Sequence, residues 1–478
     1  MSDRSRWIAL YVLCLGTLMI VLDVTIVGVA LPSIKKDLGF SQSSLAWVVN
    51  GYLLTYGGCL LLGGRLGDLF GHRRLFSIGL SAFTVSSLAC GLSTTQGELI
   101  AARCVQGIGG AVTSSVSFGL VMTIFTEPVD RAKAMGVMGF VASGGGSLGV
   151  LLGGVITDAI SWHWIFLVNV PIGALVIVLS LRLLAPSPGW AASRRLDVVG
   201  AVSVTSSLML AVYGINNHPG GWTSGETIGL LAAAAVLLSA FVAWEKRNAE
   251  PLMPVHLFLH RNLAVANTAG VLWAAAMFAW FFMTALYLQL VLGYSPLKVG
   301  LAFLPGNLIM GALSIGISAR IVTKYGYRKP LAVGLVAAAA GLALLARAPV
   351  DGHFLQDVLP SMILLGFGAG IAFNPVLLAA MGDVEPQEAG LASGLVNTSF
   401  MMGGALGLAV LASISSSRAA QLGGTSAGLT SGYHYAFVGG AICAVLAATL
   451  GGVVLRDTQG APAHERVPEA EPAFGVDI

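Results

Sequence analysis

The chain has 478 residues, of which 56% are hydrophobic and only 10% charged, with mean hydropathy +0.84 and formal net charge +3. Soluble domains carry about a quarter charged residues, so a soluble protein is excluded and an integral membrane protein expected. Five cysteines (Cys14, Cys59, Cys90, Cys104, Cys443) stand singly in apolar runs, which leaves no disulfide framework and no metal cluster.

Windows of about 20 apolar residues place fourteen spans in chain order. They lie near 7–32, 45–65, 75–93, 98–124, 134–158, 164–184, 197–215, 227–244, 263–291, 298–320, 330–346, 358–381, 389–413 and 433–455. The first run begins at Trp7, outlasts a signal-peptide core and has no A-x-A-like cleavage site after it, so it reads as a span. An internal repeat organises the spans. Glu127-Pro128 is followed by Gly136, Gly145 and Gly149, and Glu385-Pro386 by Gly394, Gly403 and Gly407, 258 residues later in the same G-x8-G-x3-G frame. Gly71-His72-Arg73-Arg74 and Gly326-Tyr327-Arg328-Lys329 form a second matching pair, 255 residues apart. Duplication in an apolar chain points to a transporter of two helical halves. The expected units are a first six-helix half at 1–184, two inserted spans with linkers at 185–260, a second half at 261–456 and a disordered cytoplasmic tail at 457–478 rich in Pro, Ala and Glu.

Lys and Arg collect in alternate loops, at Arg73-Arg74, Arg131-Lys133, Arg194-Arg195, Lys246-Arg247 and Arg328-Lys329, while the other side holds Lys35, Lys36, Lys298, Arg347 and Arg418. The bias puts both termini in the cytoplasm.

Charges at membrane depth are costly and therefore informative. Asp23 lies within span 1, nine residues before Pro32, and Arg103 lies within span 4, five residues after Glu98. At about 1.5 Å per residue, both fall in the same half of the bilayer, within roughly one helical turn in depth. Burial favours a protonated carboxyl and a neighbouring Arg favours the ionised one, so such an acid is suited to exchange a proton. Asp23 is thus the expected proton carrier with Arg103 tuning it; the alternatives are a structural pair locking two spans, or a hydrated acid.

Between spans 2 and 3, Gly64 and Gly71 permit a tight turn. Asp68 stands beside Arg73 and Arg74, where a charge-assisted lock would hold one conformational state. Positive-inside anchoring explains the arginines but not Asp68, and the second copy has Thr323 there. In span 5, Gly145, Gly149 and Gly153 recur every four residues as one stripe for a closely facing helix. Trp273, Trp280, Phe281, Phe282 and Tyr287, with Gln289, Asn307, Asn374 and Asn397, are candidate lining residues of a substrate cavity, although aromatic residues at such positions often only pack. Gly424–Gly428 fits a nucleophile elbow and Gly366–Gly370 a nucleotide turn, but neither follows a strand. No G-x-x-x-x-G-K-[ST] is present, so a proton gradient and no cofactor is the expected energy source.

These residues together resemble the Major Facilitator Superfamily, and within it the fourteen-span drug:proton antiporters of the EmrB/QacA type. Gly64 to Arg74 resembles the loop between spans 2 and 3. Leu99 to Gly110, with Arg103, Gln106 and Gly107, resembles the span 4 signature. Leu22 to Pro32 is similar to the span 1 motif, Trp162 to Gly173 to the span 5–6 signature, and Gly136 to Gly154 to the antiporter motif, with Gly136, Gly145, Gly149, Gly153 and Gly154 as its glycines. Val150 stands where that motif has Pro, Gly28 where span 1 has Asn, and His163 where Arg is common. The resemblance implies an all-α fold, proton coupling at Asp23 with Arg103, and a cavity between halves that Gln106 also lines. The function expected is proton-driven export of hydrophobic, neutral or monocationic small molecules, by a monomer in the plasma membrane with no nucleic-acid partner. Metabolite, peptide or siderophore transport, or a sensor without transport, are the alternatives.

Overall fold

A computed structural model describes residues 3–41, 43–184, 196–216, 222–248, 251–381, 384 and 389–456. The tail at 457–478, Arg194-Arg195 and Glu385-Pro386 lie outside them. Among the described residues the regular structure is helical. In chain order come α1 (Asp3–Leu38), α2 (Trp47–Phe70), α3 (His72–Leu92), α4 (Gln96–Ile124), α5 (Pro128–Ala159), α6 (Trp164–Leu167), α7 (Asn169–Leu183), α8 (Val198–Asn216) and α9 (Gly225–Glu245). The second copy contributes α10 (Arg261–Leu286), α11 (Pro296–Ala312), α12 (Ser318–Tyr325), α13 (Arg328–Leu345), α14 (Leu359–Met381), α15 (Ala389–Gln421) and α16 (Ser426–Thr449).

Local chemistry sets the ends of these helices. Thr95 and Glu98 form a reciprocal capping box at the start of α4. Ser224, Ser295 and Thr425 cap α9, α11 and α16. Gly71 (φ 89°) stops α2 and Gly326 (φ 72°) stops α12, a left-handed turn at the same landmark of each copy. The internal duplication is therefore visible in backbone geometry.

Twelve helices among the described residues, against the fourteen expected, are long and apolar enough to cross a membrane. Two expected spans fall outside that count. One is span 10, where α11 has 17 residues, about 26 Å at the usual rise, and runs on through a π turn at Leu313–Ile317 into α12, a stretch where several side chains lie outside the described residues. The other is α5, a continuous helix of 32 residues, several of whose side chains lie outside the described residues. Val150 lets α5 run without the interruption a proline would bring. Val85, Leu92, Val236 and Val453 stay exposed, a surface that acyl chains solvate and water would not. The protein is a multi-pass membrane protein.

α5 packs on α1, and α15 packs on α10 in the same relation. The halves meet along α5–α11 and α2–α15. At the end of the bundle away from the N-terminus, Gln289 Nε2 donates to the Val29 carbonyl at 2.7 Å. A Cβ on Gly154 would stand 2.6 Å from the Pro296 carbonyl oxygen, so the α5 and α11 backbones touch there. One apolar cluster accordingly runs from the second half into Ile26, Leu31 and Val150 of the first. The inserted helices α8 and α9 pack on each other and, through α8, on both α2 and α15.

Candidate functional site

α1 and α4 bring Asp23 and Arg103 together inside the first half, 0% and 1% exposed. Arg103 Nη1 donates to Asp23 Oδ2 at 2.5 Å and to Gln106 Oε1 at 2.7 Å, and Arg103 Nε donates to the Val48 carbonyl at 3.0 Å. Gln106, one turn along α4, donates from Nε2 to Asp23 Oδ1 at 2.8 Å. Asn169, at the first turn of α7, donates to the same oxygen at 3.2 Å. Ser87 of α3 accepts from both amides at 3.1 Å and donates to the Phe166 carbonyl at 2.9 Å. The guanidinium carbon lies 4.4 Å from the Tyr52 ring centroid, within cation–π range.

Taking two charges out of water costs several kcal/mol per ion, and such a pair persists only when its remaining polar atoms are satisfied. Here both carboxylate oxygens are occupied. Three donors thus engage the two oxygens of Asp23, an arrangement that favours the ionised form, and each donor comes from a helix other than α1.

Ser87 and Asn169 were not singled out from the sequence. Asn169 stands inside the Trp162–Gly173 signature, which was the available signal; Ser87 has none. Gln106, expected to line a cavity, is instead 0% exposed and part of this cluster.

The glycine stripe faces α1 beside the acid. A Cβ on Gly145 would stand 3.0 Å from Leu18, one on Gly149 2.0 Å from Thr25 Oγ1, and one on Gly153 2.7 Å from the Ile26 carbonyl oxygen. Gly154 turns to α11, and nothing lies within 4 Å of a Cβ on Gly136. The stripe therefore holds α5 against the turn of α1 that carries Asp23.

In the loop between α2 and α3, Asp68 pairs with His72 Nε2 at 3.4 Å and its side chain is 52% exposed. Arg73 donates to the Leu181 carbonyl of α7 and Arg74 is exposed. No ion pair from Asp68 to Arg73 or Arg74 is present among the described residues. Gly64 would bring a Cβ no closer than 4.0 Å to Ser115.

A small, partly open cleft lies among α10, α14 and α15, lined by Gly270, Trp273, Phe373, Val376, Leu377, Val396, Asn397 and Phe400. Of the expected lining residues, Trp273 and Asn397 are there. Trp280 is buried against Phe281 and Phe303, at 4.4 and 6.2 Å between ring centroids. The Tyr287 hydroxyl donates to the Pro349 carbonyl at 2.6 Å, and Gln289 joins the halves as described. Asn374 Nδ2 reaches the Ser314 carbonyl at 3.4 Å, and Asn307 is 1% exposed. Trp280, Tyr287, Gln289 and Asn374 serve packing and bridging in this conformation, because their rings or polar atoms are engaged within helix contacts, whereas Asn307 Oδ1 is buried without a hydrogen-bond partner.

A duplicated helical body that spans the membrane and buries an ion pair in one half is the construction of a secondary transporter. Residues 13–408 match the Major Facilitator Superfamily, and the chain belongs to that family. It is 39% identical over 415 residues to the puromycin resistance protein pur8 of Streptomyces alboniger, covering 86% of this chain and 82% of that one. It is 40% identical over 446 residues to the cephamycin export protein CmcT of Amycolatopsis lactamdurans, covering 92% and 91%. The fold is similar to that of the nucleoside transporter NupG, with TM-score 0.66 at 12% identity over 93% of this chain and 99% of that one.

Proposed function

We propose that this protein is a proton-coupled antiporter that exports hydrophobic, neutral or monocationic antibiotics by alternating access. Its setting is the plasma membrane, with fourteen spans, both termini cytoplasmic and the proton gradient as sole energy source. The observation that carries the reading is the Asp23 cluster: a fully buried carboxylate whose every donor sits on another helix. Relatives that align over most of their length and are named for antibiotic resistance or export supply the substrate class. With Asp23 the one acid buried within the described helices of the two halves, a neutral or singly charged substrate suits the site, since a dication would bring a second charge with no partner at this depth. The aromatic cleft beside Phe400 and Trp273 supplies the apolar surface for such a molecule.

The deciding experiment uses inverted vesicles with an imposed pH gradient, challenged with lipophilic dyes and antibiotics. Substrate-triggered collapse of the gradient in the wild type, absent in Asp23→Asn, is the expected result. Undiminished collapse in that variant removes the proton from Asp23; no collapse in either, with folded protein and a broad panel, removes antiport.

A further inference from the structure

A second acidic site lies in the inserted helices, remote in sequence from Asp23. Asp197, just before α8, is 7% exposed, and Glu245, the last residue of α9, is 2% exposed. Farther along, α8 lies at the seam between the halves. Thr205 of α8 occupies the space over Gly58 of α2, and Ser413 of α15 donates to the Ile215 carbonyl of α8 at 3.1 Å.

Asp197 Oδ1 accepts the Gly200 N–H at 2.7 Å and the Trp244 Nε1–H at 2.9 Å, and Asn248 also reaches this carboxyl. Glu245 Oε2 accepts the Met253 N–H at 2.8 Å, which fastens the segment joining α9 to α10. The other two oxygens, Asp197 Oδ2 and Glu245 Oε1, are buried without a donor. They converge over Gly200, where a Cβ would stand 2.6 Å from one and 2.5 Å from the other. Neither acid has a cationic partner among the described residues. Lys246 and Arg247, on the adjoining turn, are exposed, and Arg194-Arg195 lie outside the described residues.

Two ionised carboxyls brought together in this buried position repel each other strongly. One shared proton turns that repulsion into a hydrogen bond. We propose that Asp197 and Glu245 form a proton-binding site, one proton shared between them, that keeps the α9–α10 segment docked on the inserted helices. The donors favour Glu245 as the protonated partner, since Asp197 accepts more of them. Burial pushes the Asp197 carboxyl up, but the Gly200 amide and Trp244 indole outweigh it and hold Asp197 below its ordinary value. The docked state binds one proton more than the released state. Docking is therefore complete at low pH and is lost as pH rises through the titration of the pair.

The test is infrared titration of the purified full chain in lipid from about pH 5 to about pH 9, following the carbonyl stretch of protonated carboxyls. A band present at neutral pH, removed by Glu245→Gln and kept in Asp23→Asn, is the expected result. A spectrum of Glu245→Gln that superposes on the wild type at every pH overturns the shared proton. Should that variant not fold, Asp197→Asn serves, because loss of its partner charge changes the same band. Hydrogen exchange at the Met253 amide, compared at matched pH, should rise in the wild type above the titration and stay low in Glu245→Gln. Equal exchange in both sinks the docking role. Neither readout needs transport, so failure here is separate from failure of antiport at Asp23.

Discussion

In the first copy of the repeat, the glycines of α5 pack on α1 beside a buried charge; in the second, the glycines of α15 pack on α10 beside aromatic rings. Gly149 and Gly153 meet Thr25 and Ile26, next to Asp23, whereas Gly403 and Gly407 meet Val271 and Ala275, and Gly404 meets the Phe278 ring. α4 carries Arg103 into the core of the first half, while α14 has no charged residue along its 23 residues. The duplicated backbone packing has thus been kept while the chemistry at its centre has diverged. Close helix contact is a requirement of both halves, and the costly buried ion pair a requirement of one. On the reading proposed above, the first half handles the proton and the second the apolar substrate.

The largest break in this comparison is at the charge. Asp23→Asn should reduce substrate-driven proton movement to background, about 100-fold or more, with the protein still folded. Arg103→Ala leaves Asp23 buried and unpaired, which costs about 3–5 kcal/mol and should appear as a lower melting temperature in detergent. Removing the polar groups of the second half, as in Asn397→Ala, should do neither. Equal loss of proton movement from Asn397→Ala would erase the division of labour.

Next in size are the glycines, which ask whether the two stripes are equally tight. Gly153→Ala drives a methyl against the Ile26 backbone and Gly407→Ala one against Ala275 at 2.1 Å, each costing about 1–3 kcal/mol by overpacking. Gly136→Ala meets open space and should leave stability and efflux unchanged. Thermal unfolding of the three variants checks the order. Gly153→Ala should further shift the pH dependence of efflux, because it displaces the turn carrying Asp23; Gly407→Ala should not.

Smaller again is the aromatic cleft. Phe400 meets Phe278 at a tilt and Phe373 edge to face, at 6.2 and 5.8 Å between centroids. Its replacement by Ala should raise the half-saturating substrate concentration by about tenfold, from lost aromatic contact of about 0.5–1.5 kcal/mol. Proton movement per substrate should stay constant, and a changed ratio would join the cleft to the coupling machinery.

What was legible in the sequence follows from cost. Asp23 and Arg103 stand out because charges at that depth are rare, and counting residues along each span places them at one level. The glycine stripe is legible as spacing, yet its partner helix is not, since any helix offers a groove. Ser87 and Asn169 escape because neutral polar residues are cheap enough in membrane helices to be common. Gln106, Trp280 and Tyr287 were expected at a cavity by residue type alone, and packing directions that hydropathy does not encode put them elsewhere. The π turn at Leu313–Ile317 changes hydrogen bonding without changing composition, so nothing in the sequence marks it. Asp197 and Glu245 were passed over because acids at span ends are usually hydrated.

The smallest expected effect is at Asp68, and it separates two accounts of the loop that both copies share. Asp68 is half exposed and its described ion-pair partner is His72, one turn away. A surface pair of this kind is worth about 0–1 kcal/mol, so Asp68→Asn should leave the melting temperature nearly unchanged. A lock that forms in only one conformation predicts something more. Its loss changes the balance between states and hence turnover, while leaving substrate affinity and stability alone. His72→Asn provides the contrast, because its ring is wedged against Gly119, whose Cβ would stand 2.4 Å away, and its loss opens a gap between α2 and α4. Turnover lost in Asp68→Asn at constant melting temperature supports a lock made in another conformation of the protein. Unaltered turnover leaves Asp68 as a solvated helix end, and the arginines beside it as anchors to the membrane surface.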